Sequence, residues 1–195
     1  MRSYKLERKT KETDICCEIN VDGCGLANVD TGIGFFDHML NTLSRHSSID
    51  LFIKCNGDLN VDSHHSVEDC GIVLGEALNK AVGDKSTICR YQSFVMPMDD
   101  ALVLCAIDVS NRSYYESNFI PNISIIGNFE TECVDEFFRS LAFNFKINLH
   151  FYVIRGNNTH HIIEAMFKSF AKCLHDAIRI NDNRVLSTKG VLWLQ

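Results

Sequence analysis

Two five-residue strings hold the side chains best suited to chemistry. His64-His65-Ser66-Val67-Glu68 and His160-His161-Ile162-Ile163-Glu164 both read His-His-x-x-Glu. On a helix, positions three and four apart share a face, so each glutamate lies beneath its histidine pair and both ring types aim at one point. Imidazole with carboxylate, and no thiolate, is ligand chemistry for a divalent metal such as Mn, Fe, Co, Ni or Zn. Asp62-Ser63 and Asn158-Thr159 stand where N-caps belong. Capping accounts for those residues but not for the histidines. Of eight histidines, five fall in these strings or at the related position His38, a clustering that favours ligation.

The stretches that must position these strings also repeat. Asp14 to Val21, the turn Asp22-Gly23-Cys24-Gly25 and Leu26 to Val29 together predict a hairpin. Residues 35–46 have helical apolar spacing, residues 49–54 read as a strand ending at Asn56-Gly57, and the first His-His-x-x-Glu helix runs to about Gly83. The second part follows the same order. Residues 88–96 and 101–109 are predicted strands around Pro97-Met98-Asp99-Asp100, with 114–120 extending the sheet; 132–145 is a helix, 147–154 a strand and 160–180 the last helix.

Register tests the duplication. The apolar stripe Val67, Gly71, Leu74, Leu78, Ala81 recurs 96 residues later as Ile163, Phe167, Phe170, Leu174, Ala177, and His160 also follows His64 by 96. Motif and buried stripe thus keep one rotational relation in both helices. The predicted fold class is α+β, with two pseudo-symmetric β-β-α-β-α halves (about 1–86 and 87–195) in a single domain whose sheets pack on helices. His38 precedes His64 by 26 residues and Glu136 precedes His160 by 24, so Glu136 takes the place of His38 in the second half. If that helix donates a third ligand, the two metal sites are unequal.

Composition bounds the partners. With 195 residues, 46% hydrophobic and 23% charged, the chain has an ordinary globular make-up. A net charge of -6 with scattered Lys and Arg argues against a nucleic-acid surface, so an anionic partner should be small. Nine cysteines, mostly among apolar neighbours and without Cys-x-x-Cys, suggest reduced thiols in a cytoplasmic interior. No export signal and no membrane span is expected. His46, His150 and His175 are expected to be structural. Lys168, one turn after Glu164, is read either as an i,i+4 surface pair or as overlooking the same site. Arg90, Arg112, Ser187 and Lys189, each more often solvent-exposed when taken alone, together offer the guanidinium, hydroxyl and ammonium groups that a phosphate needs.

Four stretches carry a family resemblance: Gly34-Phe35-Phe36-Asp37-His38-Met39-Leu40, the segment from Asp62 to Asp69, the segment from Asn157 to Lys168, and Ser187-Thr188-Lys189-Gly190-Val191-Leu192. They resemble the signatures of imidazoleglycerol-phosphate dehydratases of histidine biosynthesis, over nearly the whole chain. The resemblance is greatest to the enterobacterial type, in which this domain follows a histidinol-phosphatase domain; no such partner is expected in this chain. It implies the ribosomal protein S5 domain 2-like fold and two manganese ions (Mn2+) per subunit. It also implies a 24-subunit homo-oligomer with sites between subunits, and dehydration of D-erythro-imidazoleglycerol phosphate to imidazole acetol phosphate.

Carried over by motif, the implied metal ligands are His38, His64, His65, Glu68, His160, His161 and Glu164. Arg90, Arg112, Ser187 and Lys189 match phosphate-binding positions, and Glu12 and Lys168 match polar groups near the substrate hydroxyls. The carbon-bound proton to be removed has no carbonyl beside it, so an electron sink is needed; metal on the imidazole ring supplies it as template and Lewis acid. Glu12, Glu164 and Lys168 are the candidates for moving protons.

Four positions depart from the family pattern. Glu136 stands where most members have a histidine ligand, Thr42 replaces a glutamine of the phosphate pocket, Asn111 replaces a glycine, and Asp100 replaces a glutamate. They motivate a competing expectation, a degenerate homologue serving as a metal-binding shell or assembly protein without turnover. A dinuclear hydrolase using a metal-bound water is the third reading.

Overall fold

The computed structural model describes residues 2–181 and 186–187. The first half runs β1 (Ser3–Lys9), β2 (Thr13–Asn20), β3 (Ala27–Asp30), α1 (Gly34–Ser47), β4 (Asp50–Gly57), α2 (His64–Val82). The second runs β5 (Tyr91–Met98), β6 (Ala101–Asp108), β7 (Tyr114–Ser117), the short pair β8 (Ile125–Ile126) and β9 (Phe129–Glu130), then α3 (Cys133–Phe145), β10 (Asn148–Arg155), α4 (Thr159–Ala177). The two four-stranded sheets have equivalent orders, β1-β2-β4-β3 and β5-β6-β10-β7. In each, the first three strands in that order are antiparallel and the last edge strand is parallel to its neighbour. The duplication read from the register therefore extends to the hydrogen-bonded topology, with β1 added ahead of the expected order.

The predicted hairpin between β2 and β3 does not form. Instead β3 lies on the far edge of the sheet, parallel to β4. The reason is Asp50, whose Oδ1 accepts from the backbone N–H of Cys24 (2.9 Å) and Leu26 (3.0 Å) and so draws the turn across the start of β4. Gly23 makes room for that carboxylate, since a Cβ there would stand 2.4 Å from Asp50 Cγ. The hairpin that the Gly-rich turn suggested was outweighed by a carboxylate that accepts two charge-assisted hydrogen bonds from the turn backbone.

Helices cover one face of each sheet, and the core lies between, with Ile15, Cys17 and Ile19 of β2 and Val103, Cys105 and Ile107 of β6 all buried. The helices also cross the boundary between halves: α1 packs on α4 and α2 on α3. Between α1 and α3 the burial register is 98 residues, as Phe36, Met39, Leu40 and Leu43 match Val134, Phe137, Phe138 and Leu141, all buried. His38 and Glu136 are equivalent in that register. The α2 and α3 backbones approach closely because a Cβ on Gly71 or Gly75 would sit 2.6 Å from the carbonyl oxygen of Phe137 or Leu141. No helix among the described residues is long and apolar enough to cross a membrane.

Candidate metal and substrate site

The α1 and α4 contact brings three predicted ligands together. Glu164 Oε2 lies 3.7 Å from His38 Nε2 and 3.3 Å from His160 Nε2, and one donor atom from each residue falls within 4.8 Å of the others. Helical spacing aligns His160 with Glu164 four residues later. Asn158 caps α4, its side-chain oxygen accepting from the N–H of His160 at 2.9 Å and of His161 at 3.4 Å. The edge of Phe35 packs on the His160 ring with centroids 4.9 Å apart. Two nitrogens and one oxygen in this space fit a divalent cation.

Lys168 completes the charge balance. Its Nζ is 2.6 Å from Glu164 Oε1 and 3.4 Å from Met98 Sδ. Burial pushes the Glu164 carboxyl up, but Lys168, His38 and His160 together outweigh that and hold it below the ordinary value. Glu164 is thus an ionised, nearly buried carboxylate with one oxygen toward two imidazoles and the other toward an ammonium.

On α2, His64 Nε2 lies 3.5 Å from Glu68 Oε2, repeating the His160 and Glu164 pair. The expected third ligand there is engaged elsewhere: Glu136 accepts from Arg139 Nη1 with both oxygens, at 2.8 and 3.0 Å. Among the described residues, only the His38, His160 and Glu164 group gathers three donors of this kind.

The second histidine of each string departs from the expectation that both rings aim at one point. His65 Nδ1 lies 3.2 and 3.1 Å from the Asp58 oxygens, and its Nε2 is 3.9 Å from Glu12 Oε1. His161 Nδ1 is 2.7 Å from Asp100 Oδ1, with Nε2 3.6 Å from Asp99 Oδ2. The ring planes within each string are nearly perpendicular, 85° for His64 with His65 and 76° for His160 with His161. Carboxylates flanking the helix start have drawn the second ring aside. The hydrogen bond to Asp58 raises the pKa of His65, and the backbone N–H groups of Asn157 and Asn158, followed by His161, lower that of Asp100.

The two predicted phosphate-binding arginines converge on a residue the sequence did not single out. Arg90, buried and at φ 71°, donates from Nε to Asp108 Oδ1 (2.7 Å) and from Nη2 to Oδ2 (3.2 Å), and from Nη1 to the Leu186 carbonyl. Arg112 Nη2 is 3.6 Å from the same Oδ2. Ser187 follows Leu186 in the described tail, and Lys189 lies outside the described residues. Asp108 closes β6 whereas Asp100, which holds His161, immediately precedes it. Eight residue steps at ~3.3 Å put these two groups roughly 26 Å apart within one chain.

A sequence model of imidazoleglycerol-phosphate dehydratase matches residues 31–174. The chain belongs to the imidazoleglycerol-phosphate dehydratase family. An imidazoleglycerol-phosphate dehydratase of Acetivibrio thermocellus is 53% identical over 193 residues, covering 98% of this chain and 99% of that protein. One from Lachnoclostridium phytofermentans is 51% identical, covering 98% of each chain. Among solved structures, the Staphylococcus aureus enzyme superposes with a TM-score of 0.83 at 36% identity, over 92% of this chain and 99% of that one. The Pyrococcus furiosus enzyme gives 0.84 at 37%, over 96% and 100%. Members of this family are hydro-lyases of histidine biosynthesis.

Set within the dehydratase family, the four departures have local explanations of unequal depth. Asn111 adopts φ 64°, a left-handed conformation that asparagine tolerates better than most residues and that accounts for glycine as the alternative. Asp100 reaches both His161 and the backbone before α4, so the shorter acid still makes contact. Glu136 is neutralised by Arg139. Thr42 is buried on α1, and nothing in the structure explains its exchange. Asp58, Asp108 and Arg139 were missed as partners, because none of them falls in a recognisable motif in sequence, and Asp99 was read only as part of a turn.

Proposed function

We propose that the chain dehydrates D-erythro-imidazoleglycerol phosphate to imidazole acetol phosphate, as a single catalytic domain holding two Mn2+ ions per subunit in the cytoplasm. The observation that carries this reading is the convergence of His38, His160 and Glu164, with the Lys168 ammonium on the free side of the carboxylate. His38, His160 and Glu164 would hold one metal and His64 and Glu68 the other, each completed by ligands beyond those gathered in one chain, with His65 and His161 among the ligands offered between copies. The metal supplies Lewis acidity to the substrate imidazole.

The chain's own groups perform the remaining work. An ionised carboxylate accepts a proton and an ammonium donates one, so Glu12 or Glu164 takes the carbon-bound proton while Lys168 protonates the departing hydroxyl. Arg90 and Arg112, steadied by Asp108, bind the phosphate with Ser187 and Lys189, and the fork geometry of guanidinium suits that task. The distance along β6 between Asp108 and Asp100 favours sites built from more than one copy. We therefore read the active form as a homo-oligomer, with 24 subunits as in the family resemblance. The outer face of the second sheet supports assembly: Val95, Tyr152 and Ile154 are exposed there, with Val95 and Tyr152 on either side of Leu104.

The test is turnover of the phosphate substrate by purified protein with added MnCl2. Activity is expected, with loss of roughly 10²-fold or more in kcat for Glu164→Gln, which removes a ligand and a proton carrier together. Correctly assembled, manganese-loaded protein without turnover would establish the second reading instead, a metal-binding shell, which the occupied Glu136 favours.

A further inference from the structure

The second histidine of each string meets a carboxylate at Nδ1, and the two carboxylates come from different places in the duplicated fold. Asp58 follows β4, and its equivalent after β10 is Gly156; Asp100 precedes β6, and its equivalent before β2 is Glu12. Gly156 carries no acid, and Glu12, though an acid, faces His65 at Nε2 (3.9 Å) and not at Nδ1. The contact has instead been made from two separate loops. Both acids are also anchored: the Asp58 backbone is bonded to Glu12 (3.1 Å) and Val61 (2.8 Å), and Asp100 Oδ2 accepts from Asn157 N–H (2.6 Å) and Asn158 N–H (3.0 Å). An exposed ion pair without a role needs no such anchoring.

We propose that Asp58 and Asp100 are positioning residues for metal uptake, acting through His65 and His161. A neutral imidazole whose Nδ1–H donates to a carboxylate keeps its Nε2 lone pair free and its ring fixed, which raises its basicity as a ligand. The two acids thus hold His65 and His161 in the tautomer and orientation that present Nε2 to a divalent metal away from the first ring of each pair. This rests on the metal-site reading above.

The experiment is equilibrium dialysis of metal-free protein against MnCl2 with metal analysis, for the unmodified chain, Asp58→Asn, Asp100→Asn and Asp100→Glu. Each Asn variant should bind manganese roughly 10- to 100-fold more weakly, while thermal unfolding of the metal-free form is unchanged and Asp100→Glu retains affinity. In a His65→Gln background Asp58→Asn should cost nothing further, since it acts only through that ring. Uptake indifferent to both Asn variants, or losses that add in the double variant, overturns the positioning role alone. Absence of manganese uptake by the unmodified chain overturns it together with the metal-site reading.

Discussion

Glu136 is where the two halves differ most in chemistry at the level of single residues. It occupies the register position of His38, but its carboxylate is satisfied by Arg139, whose guanidinium also lies over the Tyr115 ring at 5.8 Å. A metal at the His64 and Glu68 pair must compete with that guanidinium for the carboxylate. Glu136→His removes the competition and supplies an imidazole, so manganese affinity should rise about tenfold, ~1.4 kcal/mol. Calorimetric titration of both forms checks this, and equal or weaker binding in the variant means Glu136 is outside the metal site. The sequence made the His-His-x-x-Glu strings, His38 and the asymmetry at Glu136 legible, since spacing on a helix fixes which side chains share a face. It could not show Asp58 or Asp108 as partners, because each reaches its histidine or arginines through tertiary placement of a loop or strand end.

The same division holds for secondary-structure elements. Helices were legible from apolar stripes, because a stripe four residues wide has only one face to bury; strand order was not, and Asp50 redirected the one hairpin the turn residues suggested. The junction between the halves holds another feature without a sequence signal. Lys85, 3% exposed, sends its Nζ to the carbonyl of Phe145 at 2.6 Å, at the C-terminus of α3. Burial, with Lys146 adding to it, pushes its pKa down to about 7 from an ordinary 10.5. The folded chain then carries a neutral amine above that value while the unfolded chain remains protonated to higher pH, so the unfolded state binds more protons in between. Stability should accordingly rise with pH between about 7 and 10.5, by at most ~1.4 kcal/mol per unit from this group. Chemical denaturation across that range should show a shallower slope for Lys85→Met, and an identical slope would mean that Lys85 is charged in the fold.

For the whole molecule, the proposed metal and phosphate sites at opposite ends of β6 pose a geometric problem that assembly of several copies would solve. The candidate metal ligands gather at the α1 and α4 contact beside the start of β6, while Arg90 and Arg112 meet Asp108 at its end, and under the proposed function a substrate as small as a phosphorylated imidazole cannot span roughly 26 Å. Assembly resolves this if one copy supplies the metal ligands and another the arginines. The sequence alone did not expose that separation, since it arises from the strand's length and direction, not from any residue's type. Subunit mixing turns it into a decisive measurement. Glu164→Gln loses metal and proton transfer, and Arg112→Ala loses phosphate binding, so each homo-oligomer should be inactive or nearly so. Co-assembled from both chains, the oligomer should regain a substantial fraction of turnover, because some interfaces then join an intact metal end to an intact phosphate end. Sites contained in single chains would leave every mixture as inactive as its parts, since each chain would still carry one lesion in its own site.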